Sequence, residues 1–129
     1  MKRIWVKCFL FLLLAGAGSV WAQQPVAEAK VYLQSSRLAG FKYYEARKLW
    51  PRIKIGDALK LVREADNPYD GNAIAVEWQG RKLGHVPRKE NAALARFMDH
   101  GQHPEARITA LSKEKRRGRW IEFDVYMDH

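Results

Sequence analysis

The feature that most constrains this chain is an alternation of apolar and polar side chains that recurs from residue 58 to residue 127. Its clearest run lies in Arg119 to Met127, where Ile121, Phe123, Val125 and Met127 interleave with Trp120, Glu122, Asp124 and Tyr126. Side chains leave a strand on opposite faces in turn, so a period of two with one apolar set marks a strand on a half-buried sheet. In the same way Leu59, Leu61 and Arg63 alternate with Ala58, Lys60 and Val62 after Gly56 and Asp57, and Ile74, Val76 and Trp78 share a face of Ala73 to Trp78. Lys30 to Leu38, Arg81 to Val86 and Ala106 to Lys113 complete six predicted strands. Gln79-Gly80 is a tight turn that makes the middle three a meander.

Helical signals are fewer. Pro87 suits a helix start, and Ala93, Leu94, Phe97 and Met98 recur at three and four residues, which predicts that they share one side of a helix ending near Gly101. A short turn over Glu45 to Leu49 should end before Pro51, because the residue preceding a proline is pushed out of the helical region. Six strands with one substantial helix cannot cover both faces of an open sheet in so short a chain. The predicted fold is mainly β with one or two helices, a small six-stranded antiparallel barrel of the OB-like or SH3-like kind.

The first 22 residues have the parts of a secretory signal: Lys2, Arg3 and Lys7, an apolar run from Cys8 to Val20, and Ala22 before Gln23. Cleavage there predicts a periplasmic or secreted protein with no integral span, and retention of the segment would give a membrane-anchored form. Residues 23–29 read as a linker, leaving 30–129 as one domain. The signal holds three of the 23 Lys and Arg and none of the 14 Asp and Glu, so the remaining 107 residues carry a formal charge of +6. That charge favours an anionic partner: nucleic acid, anionic lipid or acidic glycan. Cys8, the only cysteine, falls in the signal, which excludes disulfides and thiolate metal sites from the mature domain.

Three elements in order then stand out: LAGFKYYEARKLW, the loop READNPYDGNAIAV, and GHVPR followed by KENAALARF. From about Leu38 to about Gly101 this pattern resembles the HIRAN domain, a family found on helicase-like remodelling ATPases and as stand-alone bacterial proteins. The resemblance implies a modified OB-type barrel that accepts the 3′ end of single-stranded DNA. Position by position it points to Lys42, Tyr43 and Tyr44 for aromatic faces and a backbone contact, to Asn67, Tyr69 and Asp70 for stacking and bonds to the terminal sugar, and to His85 and Arg88 at the strand end. The implied reader of the free 3′ hydroxyl is Asp70.

Read physically, the same residues combine ring faces for base stacking with cations for phosphates: Tyr43, Tyr44 and Tyr69 beside Lys42, Arg63, Arg88 and Lys89. Asp70 would accept a hydrogen bond from a sugar hydroxyl and repel a phosphate, separating the end of a strand from its middle. Each residue also has a plainer role. Asn67 and Asp70 satisfy their own backbone in a capped turn, Tyr43 and Tyr44 plug a barrel mouth, and His85 is a bystander or, next to Arg88, a phosphate donor. Lys113 to Arg119 sets five cations around Glu114 at a hairpin tip, either a solvated turn or an extension of the footprint.

Other chemistry finds little support. Asp66, Asp70 and Glu77 partly echo a calcium loop, but Pro68 occupies a ligand position, and His100 and His103 lack further ligands. No nucleophile triad or glycine-rich phosphate loop is present. The expected function is a non-catalytic nucleic-acid-binding module with no cofactor and no metal, its partner single-stranded nucleic acid with DNA favoured. The alternative is an exported envelope module that binds a protein, peptide or anionic glycan on the same barrel.

Overall fold

The computed structural model describes residues 29–114, 116 and 118–128. The predicted signal and all but the last residue of the predicted linker lie outside the described residues. Along the chain run β1 (Lys30–Arg37), α1 (Ala46–Leu49), a 3-10 turn (Trp50–Arg52), β2 (Ala58–Arg63), β3 (Ile74–Trp78), β4 (Arg81–His85), a second 3-10 turn (Arg88–Glu90), α2 (Ala92–Asp99), β5 (Glu105–Glu114) and β6 (Gly118–Asp128). All six strands join one antiparallel sheet in the order β1-β6-β5-β2-β3-β4.

Register irregularities at Tyr32/Gln34, Val76/Glu77 and Ile108/Ala110 add local twist, which curls the sheet toward a barrel. Its edges do not close along a strand pair. They meet where the chain leaves β1. Leu38 N still donates to Ile121 O of β6 at 2.9 Å, while Ala39 and His85 of β4 exchange two backbone hydrogen bonds of 2.9 Å each. Residues 38 and 39 therefore lace the two edges of a barrel-like sheet.

Gly84 makes that lacing possible. A Cβ at this position would collide with the Ala39 carbonyl oxygen and sit 3.0 Å from Leu38 Cγ and Cδ1. The β3–β4 turn has the left-handed pair expected of a two-residue hairpin, Gln79 at φ 47° and Gly80 at φ 79°. Of the predicted inward sets Leu59, Leu61, Ile74, Val76, Trp78, Ile121, Phe123 and Val125 are buried and Met127 is half-buried, and Leu83 and Ile108 join them in the core.

Two helical expectations need correction. Leu94 and Ala95 are the buried residues of α2 and Met98 is half-buried, whereas Ala93 and Phe97 are exposed, so the inner stripe is rotated from the predicted one. The apolar spacing is ambiguous because two overlapping stripes satisfy it, and Asn91 at the start of the helix is buried with the observed one. The helix also starts later than Pro87, after the 3-10 turn Arg88–Glu90. Near Pro51 the chain does leave the α-helix, but it continues as the tighter 3-10 turn Trp50–Arg52, in which an early proline costs no needed N–H.

The lacing contact predicts an asymmetric glycine response. Gly84→Ala should lower stability by about 3 kcal/mol or abolish folding, since backbone rather than a side-chain tip blocks the added methyl. Gly71→Ala, whose methyl meets nothing within 4 Å, should change it by less than about 1 kcal/mol. Thermal or urea unfolding of the two variants compares them directly.

Candidate functional site

The loop between β2 and β3 is held by its own polar side chains. Asn67 Oδ1 accepts hydrogen bonds from the backbone N–H of Tyr69 at 2.8 Å and of Asp70 at 3.2 Å, and Asp70 Oδ1 accepts from Asn72 N at 2.9 Å. These are side-chain mimics of turns, formed where Asn and Asp outcompete the regular ladder. The plainer role predicted for Asn67 and Asp70 is thus present. It coexists with spare capacity, because each carboxylate oxygen has two lone pairs and Asp70 spends one on each.

Arg63 supports the loop from beneath. It donates to Ala73 O at 3.0 Å, to Gly71 O at 2.7 Å and to both oxygens of Asp99 at 2.9 and 3.1 Å. With four donor contacts in use and only 15% of its side chain exposed, Arg63 is a strut and not the phosphate-facing cation expected of it.

Glu64 joins this loop to β4. Its Oε1 accepts from His85 Nε2 at 2.8 Å and Asn67 Nδ2 at 3.2 Å, and its Oε2 accepts from Lys82 Nζ at 2.7 Å. Burial by itself would raise the Glu64 pKa, but the bonds from Lys82, His85 and Asn67 outweigh it and lower the value to about 2. An ionised carboxylate only accepts, so the His85 Nε2–H is committed to Glu64.

Tyr44 rests edge-on against His85, with ring centroids 5.3 Å apart, and Lys82 Nζ lies 4.7 Å over its ring. Gly40, at φ 80°, gives the turn its shape and leaves room for that ring, which a Cβ would approach to 3.2 Å. Tyr44 is therefore half packed, the role predicted for one of the two adjacent tyrosines. Tyr43 and Tyr69 are not, being 73% and 84% exposed, and Lys42 Nζ lies 5.3 Å from the Tyr43 ring centre.

Asp70 Oδ2 accepts from Asn91 Nδ2 at 2.8 Å, which ties the loop to the start of α2. The N–H of Asn72 first, then Asn91, and with them the charges of Arg88 and Arg63, hold the Asp70 pKa below the usual carboxylate value. Contiguous contacts thus connect Tyr44, His85, Asn67, Tyr69 and Asp70. Tyr43 and Lys42 adjoin through Tyr44, and Arg88 acts on Asp70 by its charge. Sequence reasoning missed Glu64, Lys82 and Asn91. An acid closing a strand beside a turn-rich loop was a signal for Glu64, whereas Asn91 looks like an ordinary helix cap.

Among the described residues no group of three His, Cys, Asp or Glu side chains converges as a metal site, and no helix is long and apolar enough to cross a membrane. His100 Nδ1 is engaged with Arg96 O at 2.7 Å.

A six-stranded antiparallel sheet curled over one core, with a tyrosine pair and an Asn-Pro-Tyr-Asp loop at its laced edge, defines a small barrel-like binding domain. The chain belongs to the HIRAN domain family, whose model matches residues 31–127. It is 35% identical over 65 residues to the helicase-like transcription factor of Mus musculus, a match covering 50% of this chain and 6% of that much longer protein. A crystal structure of a protein from Lactobacillus plantarum superposes with a TM-score of 0.64 at 31% identity, covering 80% of this chain and 100% of that one. The HIRAN domain of human HLTF superposes with a TM-score of 0.58 at 23% identity, covering 76% and 78%, a likeness of fold.

The Glu64 network predicts an acid response with a definite sign. A carboxyl whose folded pKa is lowered contributes stability that is full above its unfolded value of 4.5 and lost as pH falls toward about 2. Between pH 6 and pH 3 the wild type should lose on the order of 2 kcal/mol through this group. Glu64→Gln should be less stable at pH 6 and lose correspondingly less on acidification, as read by thermal melts across that range.

Proposed function

We propose that this chain is a non-catalytic module that binds the 3′ end of single-stranded DNA, exported by its N-terminal signal to act in the periplasm or outside the cell. Membership in a family of DNA-binding domains supports the ligand class. The observation that carries the finer reading is Asp70: a carboxylate held ionised and fixed by Asn72 and Asn91, with Arg88 acting on it and the bare ring of Tyr69 one residue away.

The chemistry follows from that placement. A terminal 3′ hydroxyl donates a hydrogen bond to a fixed carboxylate, whereas a 3′ phosphate meets like charge at close range. Tyr69 and Tyr43 have little packing to lose and offer faces for bases, a contact worth about 1 to 3 kcal/mol per stacked base. Lys42 and Arg88 supply charge for the phosphates between them. None of these steps needs a nucleophile or a metal.

Fluorescence anisotropy with 5′-labelled oligonucleotides tests the reading. The wild type should prefer a 3′ hydroxyl over a 3′ phosphate, and Asp70→Ala should narrow that preference. Tyr69→Ala should weaken binding about 5- to 100-fold without a change in melting temperature, since the ring is almost fully exposed. Indifference to the end group and to both substitutions would reject end recognition and leave the protein- or glycan-binding alternative.

A further inference from the structure

Arg119, the last cation of the run Lys113 to Arg119, lines a groove beside Tyr43. Between the Gly40–Tyr43 turn and the start of β6 lies an open cleft of about 420 Å³, with Phe41 in its lining and Lys42, Tyr43, Arg47 and Arg119 around it. We infer that this cleft carries the sugar-phosphate backbone of the strand upstream of its 3′ end, an inference that rests on the end-binding reading above.

Charge is the first argument. Among the described residues, three cations from three different segments line the cleft and no carboxylate does. Several other cations of the sheet are neutralised by a carboxylate: Arg37 by Glu122, Arg63 by Asp99, Arg81 by Glu45 and Lys82 by Glu64. Lys42, Arg47 and Arg119 form no ion pair among the described residues, so their charge is available to a ligand. Arg119 is positioned without being neutralised, its guanidinium 5.6 Å over the ring of Trp50, which Phe41 in turn buttresses edge-on at 5.7 Å.

Continuity is the second. Lys42 and Tyr43 belong both to the cleft and to the proposed end site, so a strand stacked on Tyr43 has the cleft that Arg47 and Arg119 line next to it. A cleft that runs on from the end site and carries only positive charge matches a ligand whose negative charge repeats along the chain attached to that end. The end site then reads the terminus, and the cleft adds affinity that grows with strand length and is independent of sequence.

The test compares 3′-hydroxyl oligonucleotides of two and eight nucleotides, on wild type and on Arg47→Gln/Arg119→Gln. Wild type should gain affinity with length. The double variant should match wild type on the dinucleotide, bind the octamer about tenfold more weakly, and show a log K against log salt slope shallower by about 1.4. An octamer affinity and slope equal to wild type, with end preference intact, would overturn the cleft alone. A wild type blind to the 3′ end group would instead overturn the end-binding reading and this inference with it.

Discussion

The interaction on which the rest of the site depends is the reception of three donors by the Glu64 carboxylate. Glu64 stands where β2 gives way to the loop, and it binds Lys82 and His85 of β4 on one side and Asn67 on the other. A half-buried carboxylate is costly unless its lone pairs are filled, and here three donors offset that cost and keep it ionised at any ordinary pH. Loss of the charge would weaken the tie between the loop and β4, and the hold on the imidazole against which Tyr44 leans.

His85 gives this network a second attachment. Its side chain meets Glu64 and Tyr44, while its backbone makes the two hydrogen bonds with Ala39 that lace the sheet's edges. Closure of the sheet and assembly of the site are therefore one event in this fold. Gly84, one residue earlier, is small because the β1 exit passes directly over it. Around this seam the exposed groups include two bare tyrosine rings, Tyr43 and Tyr69, and Lys42, a cation with no ion pair among the described residues.

Much of this was legible in the residues themselves. The two-residue period of Ile121, Phe123 and Val125 announced a half-buried strand, and Gln79-Gly80 announced the hairpin, because both signals depend on local geometry alone. The Asn-Pro-Tyr-Asp loop was recognisable as a fixed turn for the same reason. What local pattern could not show was partnership across the fold. Arg63 looked like a free cation until Asp99 and the Gly71 and Ala73 carbonyls consumed its donors. Asn91 stands at the cap position of α2, yet its amide turns to Asp70, a partner that no local pattern points to. The inner face of α2 was misplaced because Phe97 and Leu94 have equal claims by spacing, and only the packed structure decides between them.

The central proposal is that Asp70, its carboxylate hydrogen-bonded by Asn72 and Asn91, is where a polynucleotide terminus docks. A crystal structure of the chain with a short 3′-hydroxyl single strand measures this most directly. The account predicts the terminal hydroxyl within hydrogen-bonding distance of the Asp70 carboxylate, with the last bases against the tyrosine rings. A strand bound elsewhere, with Asp70 still engaged only by Asn72 and Asn91, would contradict it.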